Sequence, residues 1–375
     1  MKNPVVLVKC PDYNPRNIKE AVDKIFFLLG GIDKFAKPGA RILIKPNLLS
    51  ETSPEQGITT HPSLVREVAS RFKEKGAQVF IGDSPGGPFS FNKVSEKTGM
   101  KQVAEELGIS LVRFDDVEKI RGYPFAKFAL ECDLLVSLPK FKTHSLSLIT
   151  AAIKNSFGLV PGLYKSHCHF LSPHPEDFTK IIVDVFSIRP PELVIVDAVV
   201  SMEGDGPSSG PLRETGLILG STDAVSLDSV LACLIGIKPL DIPAVAEAHN
   251  RKLGEAELDN IEVKGENIHD AVIKNFKLPE PTLLHKLPRF FLNFVARFIN
   301  MHPAVNQKLC RRCGICVKGC PVQAIVIQDG VTKINRALCI KCLCCYEFCP
   351  HNSIFLKRSL LFKLVSLLAN LVKKS

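Results

Sequence analysis

Nine of the 13 cysteines lie between Cys310 and Cys349, and their spacing constrains this chain more than any other feature. The first run reads Cys310-x2-Cys313-x2-Cys316-x3-Cys320-Pro321, and the second reads Cys339-x2-Cys342-x2-Cys345-x3-Cys349-Pro350. The two form an internal repeat that continues beyond the prolines, with Ala324-Ile325-Val326-Ile327 matched by Ser353-Ile354-Phe355-Leu356. Disulfide scaffolds are small and secreted, whereas this chain has 375 residues and no cleavable signal pattern at its start. Clustered cysteines in such a chain point to metal. A zinc site would use paired Cys-x2-Cys groups, not two runs of four each closed by proline.

The spacing is that of bacterial ferredoxins, in which the fourth cysteine of each run ligates the other cluster. It implies two 4Fe-4S clusters, one on Cys310, Cys313, Cys316 and Cys349, the other on Cys339, Cys342, Cys345 and Cys320. Cys344 is outside the repeat, where Ile315 is its counterpart, and reads as a non-ligand thiol packed near a cluster.

The first 278 residues follow another pattern. Short apolar runs at Val5–Val8, Arg41–Ile44, Gln78–Ile81, Leu111–Phe114, Leu134–Ser137, Leu193–Val196 and Leu217–Leu219 mostly lack alternation, which suits strands buried on both faces. Helical patterns lie between them at Ile18–Leu29, Pro62–Lys75, Leu146–Phe157, Glu176–Ile188 and Ala224–Ile235. The expected fold class is α/β, a mostly parallel sheet with flanking helices, plus a small α+β ferredoxin-like C-terminal domain. The expected divisions are an α/β domain over 1–278, a basic amphipathic linker over 279–308, the cluster domain over 309–356 and a basic amphipathic helix over 357–375.

Parallel sheets bind ligands at the carboxyl ends of their strands, and polar groups recur there. The strand ends read Lys45-Pro46-Asn47, then Gly82-Asp83-Ser84, then Pro139-Lys140-Phe141-Lys142-Thr143-His144. Lys154-Asn155-x2-Gly158, Met202-Glu203-Gly204-Asp205-Gly206-Pro207-x2-Gly210 and Asp223-x4-Asp228 follow. In this order the motifs resemble the family called domain of unknown function 362, whose members often carry a ferredoxin module. The resemblance spans roughly residues 5–240 and supplies no catalytic residues.

The residue chemistry is therefore read directly. Lys140, Lys142 and Lys154 would hold acid groups of a substrate, and His144 or Glu203 would move protons. Lys45, Asn47, Asp83, Asn155, Asp205 and Asp223 would complete a pocket for an anion or an ion. Each alone could be a solvated lysine, a turn or a helix cap, but their recurrence at successive strand ends favours a ligand site. His167, Cys168 and His169, with His174, read as a surface loop. No Gly-x-Gly-x-x-Gly or P-loop pattern is present, so neither dinucleotide nor ATP binding is expected.

Charge is divided unevenly. Residues 283–375 carry +13 against a formal total of +10, leaving −3 on the rest. Leu283–Lys308 and Lys357–Lys374 contain basic residues and no acid, beside stripes of Phe or Leu. Such faces suit an anionic membrane surface, packing back on the protein, or an acidic redox partner protein. Trp is absent and the basic stretches carry Leu, which argues against nucleic acid. The expected location is cytoplasmic, with peripheral membrane contact. Two functions fit: a ferredoxin-coupled oxidoreductase acting on an anionic small molecule, or a non-catalytic electron-carrier or assembly subunit whose α/β domain binds a partner or ligand.

Overall fold

The structure is a computed structural model, and it describes residues 4–171, 175–279 and 301–358. The basic stretches at 283–300 and 359–374 fall outside the described residues.

The chain forms β1 (Val5–Lys9), β2 (Arg41–Pro46), β3 (Gln78–Gly82) and β4 (Ser110–Val112). A hairpin, β5 (Val117–Ile120) and β6 (Tyr123–Ala126), follows. Then come β7 (Leu134–Leu138), β8 (Lys140–His144), β9 (Leu148–Thr150), β10 (Leu193–Met202), β11 (Leu212–Ser221) and β12 (Val263–Gly265). The main sheet runs β12-β1-β11-β10-β7-β2-β3-β4, with β8 paired to β10 and β9 to β8. Pairing is parallel between β2, β3, β4, β7 and β10, and antiparallel around β11. The α/β expectation is met, with a mixed sheet. One face carries helices such as Pro15–Leu28 and Pro62–Glu74, and the other carries Pro175–Ile188, Ala224–Leu234 and Pro243–Asn250. Local chemistry sets the helix starts. Pro15 and Pro62 open two of them, where a missing N–H costs nothing, and Asn14 and His61 cap them by accepting from Arg16 N and Ser63 N.

Two expectations near the strand ends need correction. Lys140–His144, read as the polar run that follows a strand, is itself strand β8, buried along its whole length. Leu146–Phe157, read as one helix, contains strand β9, and only Ala152–Asn155 is α-helical. The β-branched pair Ile149–Thr150 fits a strand, and Lys142↔Thr150 and His144↔Leu148 pair in register. His167, Cys168 and His169, read as part of a loop, lie in helix Tyr164–Leu171, and His174 falls outside the described residues.

The C-terminal module contains β13 (Met301–Val305), β14 (Ile325–Gln328), β15 (Val331–Ile334) and β16 (Ile354–Arg358), plus short helices Ile315–Lys318 and Cys344–Phe348. β13 pairs with β16 and β14 with β15, all antiparallel. The module thus begins at residue 301, inside the span expected to be linker. The sequence repeat is also a backbone repeat. Left-handed residues recur at matching places: Arg312 with Lys341, Gly314 with Leu343, and Gln323 with Asn352.

The module is seated on the α/β domain. The Phe348 ring lies where a Cβ on Gly87 would stand 2.8 Å from it, and a Cβ on Gly319 equally close. Only glycine permits that approach on either side of the ring. Tyr346 Oη donates to Asp205 O at 2.6 Å, Ser208 Oγ to Glu347 O at 2.9 Å, and Ser209 Oγ to Asn352 Oδ1 at 3.1 Å. The 202–210 motif is therefore the cradle of the module.

Candidate functional site

In each cysteine run the chain wraps back on itself through left-handed residues. Successive N–H groups in such turns form concavities that suit the negative sulfurs of iron–sulfur clusters. Matching amides reach the fourth thiol of each run: Ala324 N donates to Cys320 Sγ at 3.2 Å and Ser353 N to Cys349 Sγ at 3.3 Å. Burial, then the charges of Cys313, Cys349 and Cys310, raise the Cys316 thiol to about 11. Burial, then Cys342, Cys316, Cys339 and Cys320, raise that of Cys345. The thiols thus gather with the fourth cysteine of each run beside the other run. A hollow of about 310 Å³ is lined by Cys320, Cys339, Cys342 and Cys345 with Val322, Ile325, Ile334 and Leu343. Soft donors in a dry, apolar shell suit iron–sulfur clusters. Cys344 is buried, lies against Cys342 and lines the same hollow.

Beside this module is a cavity of about 610 Å³, including its mouth. It is lined by Lys45, Asn47, Asp83, Lys142, His144, Lys154 and Asn155 from the predicted set, and by Ser84, Thr150, Lys165, Ser166, Glu347 and Phe348, which were not in it. Strand β2 delivers Lys45, β3 delivers Asp83 and β8 delivers Lys142 and His144. Lys154 and Asn155 sit on Ala152–Asn155, whose first amides, Ala152 N and Ile153 N, donate to Asp228 at 2.8 and 3.0 Å. The Asp228 carboxyl is pushed up to about 7 by burial.

One lysine is neutralised. Lys45 Nζ lies 2.7 Å from Asp83 Oδ1 and donates to Asn155 Oδ1 at 3.3 Å, while Asp83 Oδ2 accepts from Leu48 N at 2.7 Å. A Cβ at Gly158 would press on Asp83 Oδ1 and stand 2.6 Å from Lys45 Nζ, which explains that glycine. Gly158→Ala is expected to split this buried pair and cost on the order of 3 kcal/mol. A denaturation midpoint matching that of the unaltered protein would show that the pair can shift aside.

The other lysines are less well matched. Lys142 Nζ donates to Ile58 O at 2.5 Å and to Asn47 Oδ1 at 3.4 Å. Lys165 Nζ donates to Ser84 O, Ser84 Oγ and Val160 O. Neither has a carboxylate partner among those contacts. Burial lowers both to about 7, helped for Lys142 by neighbouring Lys154. Lys154 lies over the rings of Phe157 and Phe178, and burial lowers it against the pull of Glu347. Thr150 Oγ1 and Ser166 Oγ are buried and have no hydrogen-bond partner among the described residues. Buried ammonium groups and unpaired hydroxyls in one cavity are costly unless a ligand completes them. Such groups are of the kind that complement an anion.

His144 Nδ1 accepts from Leu146 N at 3.1 Å and Ser147 N at 3.3 Å, so the proton of the neutral ring is on Nε2. Nε2 lies 3.2 Å from Glu347 Oε1. Burial, then Lys154, lower His144 to about 4. Near neutral pH it is a neutral N–H donor; it was expected to move protons.

Four expected site residues lie elsewhere. Lys140 is buried in a pair with Asp197 at 3.0 Å and donates to Tyr13 Oη at 2.6 Å. Glu203 accepts from Lys277 N at 3.1 Å. Asp205 belongs to the cradle. Asp223 caps Ala224–Leu234, accepting from Val225 N and Ser226 N. Lys140 is near enough to act on the charge of Lys142, but none of the four lines the cavity.

Comparisons with known proteins agree with this organisation. Residues 302–350 match a 4Fe-4S dicluster domain, so the C-terminal module is a 4Fe-4S cluster-binding domain. The thylakoid-associated protein sll1697 of Synechocystis sp. is 31% identical over 312 residues, covering 80% of this chain and 97% of that one. Among the described residues no helix is long and apolar enough to cross a membrane. Two solved structures share weaker likeness: the lactate racemase apoprotein of Thermoanaerobacterium thermosaccharolyticum (13% identity, TM-score 0.40, 59% of this chain and 57% of that one) and a Thermotoga maritima protein (11%, 0.36, 64% and 60%). This chain spans less than two thirds of either, and likeness at that level carries no functional argument. Residues 42–233 match the family described as Domain of unknown function (DUF362), and the chain belongs to that family.

Proposed function

We propose that this protein passes single electrons through two 4Fe-4S clusters to or from an anionic ligand held in the lysine-lined cavity. The observation that carries this reading is the placement of helix Cys344–Phe348. It lies within the second cysteine run, and its Glu347 and Phe348 form part of the cavity wall. A helix rises about 1.5 Å per residue, so a cluster held by Cys345 and a ligand touching Glu347 would be close neighbours.

Cys310, Cys313, Cys316 and Cys349 would hold one cluster, and Cys339, Cys342, Cys345 and Cys320 the other. Bound there, the clusters supply or accept one electron at a time. The chain's own residues do the rest. Lys142, Lys154 and Lys165 attract the anion, Thr150 and Ser166 donate to it, and His144 Nε2–H orients it. Burial strengthens each contact by excluding water. Cys313 is exposed, with Arg311 and Arg312 exposed beside it, a face that suits an acidic redox partner. The relative's thylakoid association is consistent with peripheral contact between the basic stretches and an anionic membrane.

The test is anaerobic purification with iron and sulfide analysis, EPR of the reduced protein and mass spectrometry of released small molecules. Two interacting 4Fe-4S signals that change when the co-purifying anion is removed and restored are expected. Two clusters indifferent to every released anion would instead favour an electron-carrier subunit.

A further inference from the structure

A second hollow adjoins the lysine cavity. A surface groove runs between helix Tyr164–Leu171 and the cluster module, and Ser166 lines both groove and cavity. Phe348 stands between them: it lines the cavity, and its ring packs against Gly319, which lines the groove. The two hollows are thus neighbours that share Ser166, with Phe348 between them.

Their chemistry differs. The cavity presents ammonium groups and hydroxyls. The groove presents Leu163, Val317 and Val326, with His167 and Lys318 at its rim. Leu163 and Val326 are each 49% exposed, large apolar side chains facing water on either side of one channel. Cys320, a thiol assigned above to the second cluster, also lines the groove.

We infer that the anion bound by the lysines is the head of a longer molecule whose apolar body lies in this groove, against Cys320. The ligand class is an amphiphilic carboxylate or phosphate, not a small inorganic anion. The inference rests on the cavity being an anion site. It adds that affinity comes from both ends, and that the body extends past the thiol assigned to the second cluster.

The experiment uses the full, cluster-loaded protein under anaerobic conditions, titrated calorimetrically with acetate, butyrate, hexanoate, octanoate and inorganic phosphate. Burial of a methylene group tightens binding about fourfold. Kd should therefore fall by about that factor per methylene once the chain passes Phe348, until the groove is filled. Leu163→Ser combined with Val326→Thr should flatten the series and leave acetate binding as it was. Lys142→Met should abolish octanoate binding, because the body alone does not anchor.

Acetate and octanoate binding equally well would overturn the inference and leave the cavity reading intact. Octanoate binding unchanged by Lys142→Met would place the chain elsewhere, and overturns it too. If neither the carboxylates nor phosphate bound, the anion site itself would fall and this inference with it.

Discussion

Cys320→Ala is expected to remove the cluster whose other ligands are Cys339, Cys342 and Cys345, although Cys320 belongs to the first run. Iron and sulfide should fall by about half. The reduced variant should then show one magnetically isolated signal, where two interacting signals are expected of the unaltered protein. The reasons are geometric. The charges acting on Cys345 include those of Cys339, Cys342 and Cys320, and those on Cys316 are Cys313, Cys349 and Cys310. Cys320 also lines the same apolar hollow as Cys339, Cys342 and Cys345. The identity of the lost cluster can be settled by comparison. Cys313→Ala should delete the first cluster and Cys339→Ala the second, giving two reference spectra. The Cys320→Ala spectrum should match that of Cys339→Ala. A match to Cys313→Ala would mean that each run folds around its own cluster.

The same variant reaches the cavity. A cluster held by Cys339, Cys342 and Cys345 would brace the turn that leads into Cys344–Phe348, and that helix supplies Glu347 and Phe348 to the lysine-lined cavity. Its loss should weaken anion binding without touching any lysine.

The cluster module was legible in the sequence because its signal is local. Eight thiols at fixed spacing leave few alternatives, and the repeat shows in residues only 29 positions apart. The parallel strands were legible too, since unbroken apolar runs such as Ile42–Ile44 and Val194–Val196 are buried on both faces. The lysine cavity was only half legible. Lys140-Phe141-Lys142-Thr143-His144 reads as a polar run past a strand end. Its charges are instead buried in a strand by partners remote in sequence, Asp197 for Lys140 and Ile58 O for Lys142. Nothing local announces such pairing. Glu203-Gly204-Asp205 looked like an ion site for the same reason. Its partner, Tyr346, is 141 residues from Asp205.

Glu347 and Lys165 were missed differently. Lys165 stands just before a run of histidines and follows no strand end, so the strand-end pattern passed it by. Glu347 was read as a spacer between two cysteine ligands. Yet it is one of only two acids among the basic last 93 residues, the other being Asp329. An acid retained between two thiolates opposes its neighbours' charge, and that conflict was the available signal. Its resolution is spatial: the same carboxylate faces Lys154 and His144.

Lys142→Met together with Lys165→Met should abolish anion binding and, at neutral pH, stabilise the ligand-free protein. The pairing of these outcomes follows from where the ammonium groups sit. Both have pKa values near 7 in the folded chain against 10.5 for an ordinary lysine, with burial the first cause. Between pH 7 and 10.5 the unfolded chain therefore binds more protons than the folded one. Stability rises with pH across that window, by up to about 1.4 kcal/mol per pH unit for each lysine. Below about pH 7 both states are protonated and the full burial penalty remains, on the order of a few kcal/mol per lysine. Methionine fills a similar volume without charge and removes that penalty, although the carbonyls of Ile58 and Val160 lose a donor and take back part of the gain. Chemical denaturation from pH 6 to 10 should show a rising stability for the unaltered protein and a flatter, higher profile for the variant. An anion reverses the lysines' shift, so its binding takes up protons. Its affinity should weaken as pH rises through 7, by up to about tenfold per unit for each lysine involved. Two lysines serving only the fold would give the opposite pattern: a destabilised variant, and anion affinity indifferent to pH between 6 and 9.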